Sequence, residues 1–314
     1  MKAYSNEGPV NCDAEFNSSH VKGKTAIVTG GANGIGEAYV RALVGAGAFV
    51  IIADVNEHDG AKLSEELGSS TRFEKCDVTS WADQLAVFKS AISISPSGKI
   101  DIVVANAGIG GEDPVFSTNI EEEEPTEPRL KTLDVDLVGV LYTIKLALHY
   151  FRRQNAQSKG EDLDQVLIIQ GSLAGFLGLP GALQYSASKY GLRGVFRTLR
   201  LTEHQHNMRV SYIGPWFIET KIMNDKTIQQ LKDTKTAFAT VQDCARALMR
   251  IVSNSNTSGR AFAILPREWA AAGYMDLCDD DPKDTLLGKL TAGISAARSH
   301  PQSSDTTPTT KVEW

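Results

Sequence analysis

Residues Thr25–Val44 read TAIVTGGANGIGEAYVRALV. The apolar run Thr25-Ala26-Ile27-Val28 is a strand, TGGANGIG from Thr29 to Gly36 is a glycine-rich turn, and a helix pattern runs from about Glu37 to Val44. A strand that enters a helix through such a turn brings backbone N–H groups and a helix N-terminus together, the arrangement that receives a pyrophosphate. The glycines permit the tight turn and the close approach.

The pattern repeats downstream. A second strand, Phe49 to Ala53, ends in Asp54, eighteen residues past Gly36. That is where a dinucleotide-binding fold places the carboxylate that accepts from the adenosine ribose hydroxyls. A carboxylate there repels a 2′-phosphate, and no Arg or Lys lies within Gly30–Gly36 or just after Asp54 to offset it. NAD is therefore expected, with NADP the alternative; the structural reading of Asp54 is a helix cap. A third strand ends at Cys76-Asp77-Val78-Thr79, and a fourth, Ile102 to Ala105, ends at Asn106-Ala107-Gly108. Strands alternating with helices imply an α/β fold with a parallel sheet and right-handed crossovers.

An irregular segment from Ile109 to Arg129 carries the acidic run Glu121–Glu124, read as a solvated loop with no metal or catalytic role. Leu133, Leu137, Leu141, Ile144 and Leu148 then mark a long helix over about Leu130–Arg153. A fifth strand, Val166 to Ile169, opens the stretch QGSLAGFLGLPGALQYSASK, Gln170 to Lys189. Ser172 sits where the strand ends, and Tyr185 and Lys189 are four residues apart on one helix face. A lysine cation favours the phenolate of a neighbouring tyrosine, whose free pKa is about 10, so Tyr185 can exchange a proton with a substrate oxygen. Ser172 can hydrogen-bond the same oxygen. In isolation, Y-x-x-x-K is more often a half-buried helix tyrosine and a solvated lysine, and Ser172 a turn residue. A sixth strand, Arg209 to Ile213, leads to Gly214-Pro215-Trp216-Phe217-Ile218-Glu219-Thr220, and a last strand, Ala261 to Leu265, closes the sheet.

Composition bounds the function. The chain has 314 residues, 42% hydrophobic, with a formal net charge of −6 and no basic cluster, which argues against a nucleic-acid partner. Cys12, Cys76, Cys244 and Cys278 are too scattered for a disulfide framework or a metal site. The first 22 residues are polar, without the apolar core of a secretory signal, and no run is long enough to span a bilayer. A cytoplasmic protein is expected. Residues 1–22 read as a polar extension, 23–267 as one domain holding both cofactor and catalytic sites, and 268–314 as a helical piece followed by a disordered Ser/Thr/Pro tail from His300.

Together these motifs resemble the short-chain dehydrogenase/reductase family over about residues 22–267. The resemblance implies a Rossmann-type doubly wound sheet of about seven strands, order 3-2-1-4-5-6-7, with helices on both faces. It implies hydride transfer between a nicotinamide and an alcohol or ketone carbon. It places Thr29, Gly30, Asn33, Gly34, Ile35, Gly36 and Asp54 at the cofactor. Asp77 and Val78 would lie at the adenine, and Asn106, Ala107 and Gly108 beside the loop. Pro215, Ile218 and Thr220 would hold the nicotinamide end, and Ser172, Tyr185 and Lys189 would form the catalytic group, the last two also touching cofactor. Where the family has Asn in N-x-x-G, this chain has Asp136 in Asp136-Leu137-Val138-Gly139. Asp136 either preserves the family's helix bend or sets a negative charge near Lys189, which slows turnover. Trp216 follows Pro215 where the family often has Gly.

Leu173, Phe176, Leu177, Leu179, Leu183, Trp216 and Phe217 are the candidate substrate wall, the plainer reading of each being core packing. With no Arg or Lys among them, an apolar secondary alcohol or ketone is expected, as for prostaglandin dehydrogenase-like and fungal secondary-metabolism members. A dimer or tetramer built on helices 130–153 and 185–206 is what the family implies. The rival readings are an NAD-binding sensor or scaffold with weak or no turnover, and an assembly partner.

Overall fold

A computed structural model describes residues 8–158, 160 and 163–278. The strands are β1 (Thr25–Thr29), β2 (Phe49–Asp54), β3 (Thr71–Lys75), β4 (Ile102–Ala105), β5 (Gln165–Gln170), β6 (Met208–Pro215), β7 (Ala261–Ile264) and β8 (Tyr274–Asp276). They form one sheet in the order β3-β2-β1-β4-β5-β6-β7-β8. All pairs are parallel except β7 with β8. The α/β expectation and its strand order hold, with an eighth strand added at the edge.

The inner strands β1, β2, β4 and β5 are largely apolar on both faces because helices cover both, as in doubly wound folds. Alternate residues feed opposite layers. Ala26, Val28, Ile52 and Val104 pack under α1 (Gly34–Gly45) and α8 (Val241–Val252). Ile27, Ile51, Val103 and Ile169 pack under α3 (Trp81–Ile94), α5 (Val140–Gln157) and α6 (Leu183–Thr202). α2 (Glu57–Leu67) packs against β2 and β3, and α7 (Asp225–Asp233) lies between β6 and α8 in the chain.

The expected long helix is interrupted. A short α4 (Lys131–Leu133) runs into a π-helical turn, Asp134–Gly139, before α5 begins. π-turns bend helices and recur at functional sites.

At both ends of the described residues the structure differs from expectation. The part of the 268–314 piece that is described is a strand rather than a helix. Gly273 at φ +79° makes the turn after β7, and the three strand residues alternate buried, exposed, buried. Tyr274 lies under Phe262, ring centroids 6.0 Å apart. Three residues carry too little period to be seen in a sequence. The remainder of that piece and the tail lie outside the described residues. The extension read over 1–22 is tied down from residue 8 onward. Val10 N–H donates to Asp276 at 2.8 Å, the Tyr274 hydroxyl donates to the Cys12 carbonyl at 3.2 Å, and Phe16 packs on the core.

Candidate active site

The glycine-rich turn has no room for side chains where it bends. Gly30 and Gly34 adopt φ +63° and +57°, a region costly for other residues. A Cβ on Gly36 would stand 1.9 Å from the Gly30 carbonyl oxygen, and one on Gly30 would stand 2.7 Å from the Ala107 Cα. Asn33 caps α1 without using its side chain. Asn106 donates through Nδ2 to the carbonyls of Thr29 (2.9 Å) and Gly30 (3.0 Å). The Thr29 hydroxyl accepts from the Asn106 and Ala107 N–H groups at 3.0 and 3.2 Å. Buried Thr29 thus welds the ends of β1 and β4 rather than facing a cleft.

Asp54 is buried at the end of β2, where its carboxylate accepts from the Ala32 and Asn56 N–H groups, both at 2.9 Å. Asp77 is exposed and accepts from the Thr79 N–H and hydroxyl. Val78 is buried, and a Cβ on Gly139 would approach its carbonyl oxygen to 3.0 Å. Ile35 is half-buried against the α1 layer.

The π-turn delivers Asp136 to the site. Asp136 is fully buried, accepts from the Ile109 N–H at 2.7 Å and lies 3.0 Å from Lys189 Nζ. Gly108 leaves space for it, since a Cβ there would stand 3.2 Å from Asp136 Oδ2. Asp136 therefore does both things open to it: the bend is present, and the charge sits against the lysine. Lys189 Nζ is 5.1 Å from the centroid of the Tyr185 ring, one helical turn earlier on α6. Burial alone would lower the Lys189 pKa, but Asp136 and Tyr185 outweigh it and hold the ammonium above its ordinary range.

Ser172 caps the turn Leu173–Gly175, accepting from the Ala174 N–H at 3.1 Å and donating to the Pro215 carbonyl at 3.5 Å. That turn lies against α6: a Cβ on Gly175 would be 2.7 Å from the Lys189 carbonyl oxygen. Thr220 lies over the glycine loop, 3.6 Å from where a Gly34 Cβ would be. Ile218 packs inward beside Ala239. The carboxyl ends of β1, β4, β5 and β6 thus converge, with the Gly-rich turn, Asn106–Gly108, Ser172 and Pro215–Thr220 at one edge, where doubly wound folds bind their ligands.

Residues 24–231 match the short chain dehydrogenase family. The chain belongs to the short-chain dehydrogenase family. It is an NAD(P)-dependent oxidoreductase acting on an alcohol or the corresponding ketone. The dehydrogenase is 37% identical over 277 residues to a 5′-hydroxyaverantin dehydrogenase of Dothistroma septosporum, covering 83% of this chain and 88% of that one. It is 32% identical over 291 residues to an NADP-dependent dehydrogenase of Phoma sp., covering 86% and 84%. A 3-ketoacyl-(acyl-carrier-protein) reductase from Brucella melitensis, complexed with NADH, superposes with a TM-score of 0.67 at 25% identity, covering 78% of this chain and 97% of that one.

The dehydrogenase fits its nicotinamide cofactor. The glycine turn is a cradle that a Cβ at residue 36 would fill, it opens onto the N-terminus of α1, and Asp54 stands at the end of β2.

The sequence placed Trp216 in the substrate wall. Half-buried, its ring packs edge-on to Phe217 and Trp269, centroids 4.8 and 5.6 Å away, and Nε1–H donates to the Ala237 carbonyl at 3.1 Å. Leu173 is buried, and Phe176 lies beneath Arg193 and against Tyr212. Leu177 and Leu183 stay about half exposed.

Sequence reasoning missed two residues of the dehydrogenase. Asp113, in the segment read as irregular, is buried and accepts from the Gln184 N–H at 2.7 Å, one residue before Tyr185. The available signal was that α6 starts after Ala182, which cannot cap it. Tyr212 was read only as a strand residue. Its signal was the flanking glycines Gly171, Gly175 and Gly214, all of which border its ring or hydroxyl.

Proposed function

We propose that this chain oxidises a secondary alcohol on an apolar, polycyclic or lipid-like substrate, or reduces the ketone, with NAD as the preferred cofactor. Tyr185 is the acid–base group, Lys189 supports its phenolate, Ser172 hydrogen-bonds the substrate oxygen, and Asp136 is the counter-ion of Lys189. Gly30, Asn33, Gly34, Ile35, Gly36, Asp54, Asp77, Val78, Asn106–Gly108, Pro215 and Thr220 border the cofactor. The bound nicotinamide supplies or accepts the hydride. The chain's own part is to hold the substrate oxygen between Ser172 Oγ and Tyr185 Oη and to move one proton through the phenol.

The observation that carries this reading is the seating of the Ser172 turn on the Lys189 backbone, with Tyr185 one turn away on the same helix. The apolar substrate is supported by Leu177, Leu183, Phe116 and Ile222, which expose 40–57% of their surface. Leu183 opens α6 and the other three stand on loops: Phe116 is 3.9 Å from where a Gly181 Cβ would be, and Ile222 presses on Gly110. Relatives named as 5′-hydroxyaverantin dehydrogenases agree with it. Val138, Leu141 and Tyr190, exposed along the π-turn, α5 and α6, support a homodimer or homotetramer. Size-exclusion mass checks that.

NADH formation from NAD with a panel of apolar secondary alcohols, 5′-hydroxyaverantin among them, tests the activity in the native protein and in Tyr185→Phe. Turnover lost in the mutant supports the assignment, and turnover unchanged overturns it. Tight NADH binding with no turnover would favour the sensor reading, to which the Asp136–Lys189 ion pair lends its one support.

A further inference from the structure

The β5–β6 ladder ends at Gly171, whose N–H donates to the Ile213 carbonyl at 2.8 Å. The next residue, Ser172, finds no strand partner for its main chain. Instead, the Tyr212 hydroxyl accepts from the Ser172 N–H and donates to the Ser172 carbonyl, each at 3.0 Å, and the Gly175 N–H donates to that same carbonyl at 3.0 Å. Tyr212 is completely buried. Its ring is held by Phe176 and Phe196, centroids 5.8 and 5.7 Å away. Any side chain at Gly171 would collide with it, since a Cβ there would fall 1.9 Å from the phenol. A Cβ on Gly175 would be 2.8 Å from its hydroxyl, and one on Gly214 would be 3.1 Å from its ring.

We propose that Tyr212 is the positioning residue of Ser172: its phenol grips the serine backbone from both sides and aims Oγ at the substrate oxygen. This rests on the reading of Ser172 given above. Core filling does not account for the hydroxyl. Phenylalanine would make the same ring contacts, whereas the hydroxyl meets the N–H and carbonyl of one residue, the one at the site. Burial pushes the phenol up to about 12, so it stays neutral and can donate and accept at once throughout the working range. A serine whose backbone drifts by a fraction of an ångström loses alignment with a developing oxyanion, which preorganised donors stabilise only when placed beforehand.

The test is a double-mutant cycle on the full chain, with NAD and the panel alcohol the native enzyme oxidises fastest. Ser172→Ala is expected to lower kcat by roughly 10²–10³-fold, and Tyr212→Phe by about tenfold, with KM and the NADH dissociation constant little changed. The double variant is expected to be no slower than Ser172→Ala, because the phenol acts through the serine. Tyr212→Phe with native kcat, or a double variant that loses the product of the two factors, overturns the inference while leaving Ser172 in place. Ser172→Ala with native kcat, or a native enzyme that oxidises no alcohol of the panel, overturns the parent reading and this inference with it. If Tyr212→Phe does not fold, p-aminophenylalanine at 212 keeps the ring with a donor and an acceptor. Its kcat is expected to stay within about threefold of native, and a loss as large as that of Ser172→Ala overturns the inference.

Discussion

Asp136 and Lys189 form an ion pair at 3.0 Å, both shut away from solvent beneath the site. The aspartate reaches the lysine because the helix that carries it makes a π-turn at that point. In the proposed mechanism its carboxylate offsets the ammonium that stands 5.1 Å from the Tyr185 ring. Asp136→Asn removes that opposition while keeping an acceptor for the Ile109 N–H. The acidic limb of the pH–rate profile for alcohol oxidation is expected to move down, because the Lys189 ammonium is no longer offset by Asp136, with faster turnover at neutral pH. The melting temperature is expected to fall, since the buried ammonium loses its counter-ion. A profile that does not move would reduce Asp136 to a hydrogen-bond acceptor for the loop.

The loop carboxylate of Asp113 caps α6 at Gln184, and the Gln184 side chain in turn donates to the Arg129 carbonyl at 3.0 Å. Burial would raise the Asp113 pKa, but the hydrogen bonds from Gln184, Val115 and Phe116 win and lower it, so the cap is charged at neutral pH. Asp113→Ala is expected to cost about 1–2 kcal/mol and to lower kcat several-fold by loosening the turn that carries Tyr185. Asp113→Asn should recover most of both. Thermal melts and initial rates on the three proteins decide it.

Glycine positions separate cofactor binding from stability. Gly36→Ala drives a methyl group into the Gly30 carbonyl, so NADH affinity, followed by fluorescence titration, is expected to fall at least tenfold. Gly45, at the end of α1, has nothing within 4 Å of a new Cβ. Gly45→Ala is expected to leave NADH binding alone and to stabilise by about 0.5–1 kcal/mol.

The proposed preference for NAD rests on the carboxylate of Asp54 at the end of β2. Asp54→Ser is expected to raise kcat/KM for NADP relative to NAD by more than tenfold, because the repulsion of a 2′-phosphate is gone. A native enzyme that already prefers NADP would show that the carboxylate, held by the Ala32 and Asn56 N–H groups, serves the loop instead.

Acid stability rests on a site far from the chemistry. Fully buried Arg209 donates to Asp164 at 2.6 and 3.1 Å, and Lys24 joins the same carboxylate. Burial would raise the Asp164 pKa, but Arg209 and Lys24 overcome it and bring it down to about 2. A depressed carboxylate pKa contributes stability above the unfolded value near 3.9, and that contribution is lost as pH falls toward 2. It is of order 2 kcal/mol at neutral pH. The stability difference between native and Asp164→Asn, read from urea midpoints, is therefore expected to shrink as pH drops from 4 to 2.

Local chemistry was legible in the chain because short-range geometry is set by neighbouring residues. The Gly30–Gly36 turn, the buried runs of β1, β2, β4, β5 and β6, and Tyr185 four residues before Lys189 each follow from sterics or helix periodicity within about ten residues. What the tertiary structure decided are the meetings of distant segments, which periodicity cannot report. These are Asp136 against Lys189, Asp113 on Gln184 across 71 residues, the Tyr212 phenol on Ser172 across 40, and the three-residue β8 at the sheet edge. The same limit applies to Trp216, whose ring contacts with Trp269 and Phe217 join segments that periodicity does not connect. A sequence pattern shows which face a side chain occupies, whereas its partner is chosen by close packing of elements whose relative placement exists only in the fold.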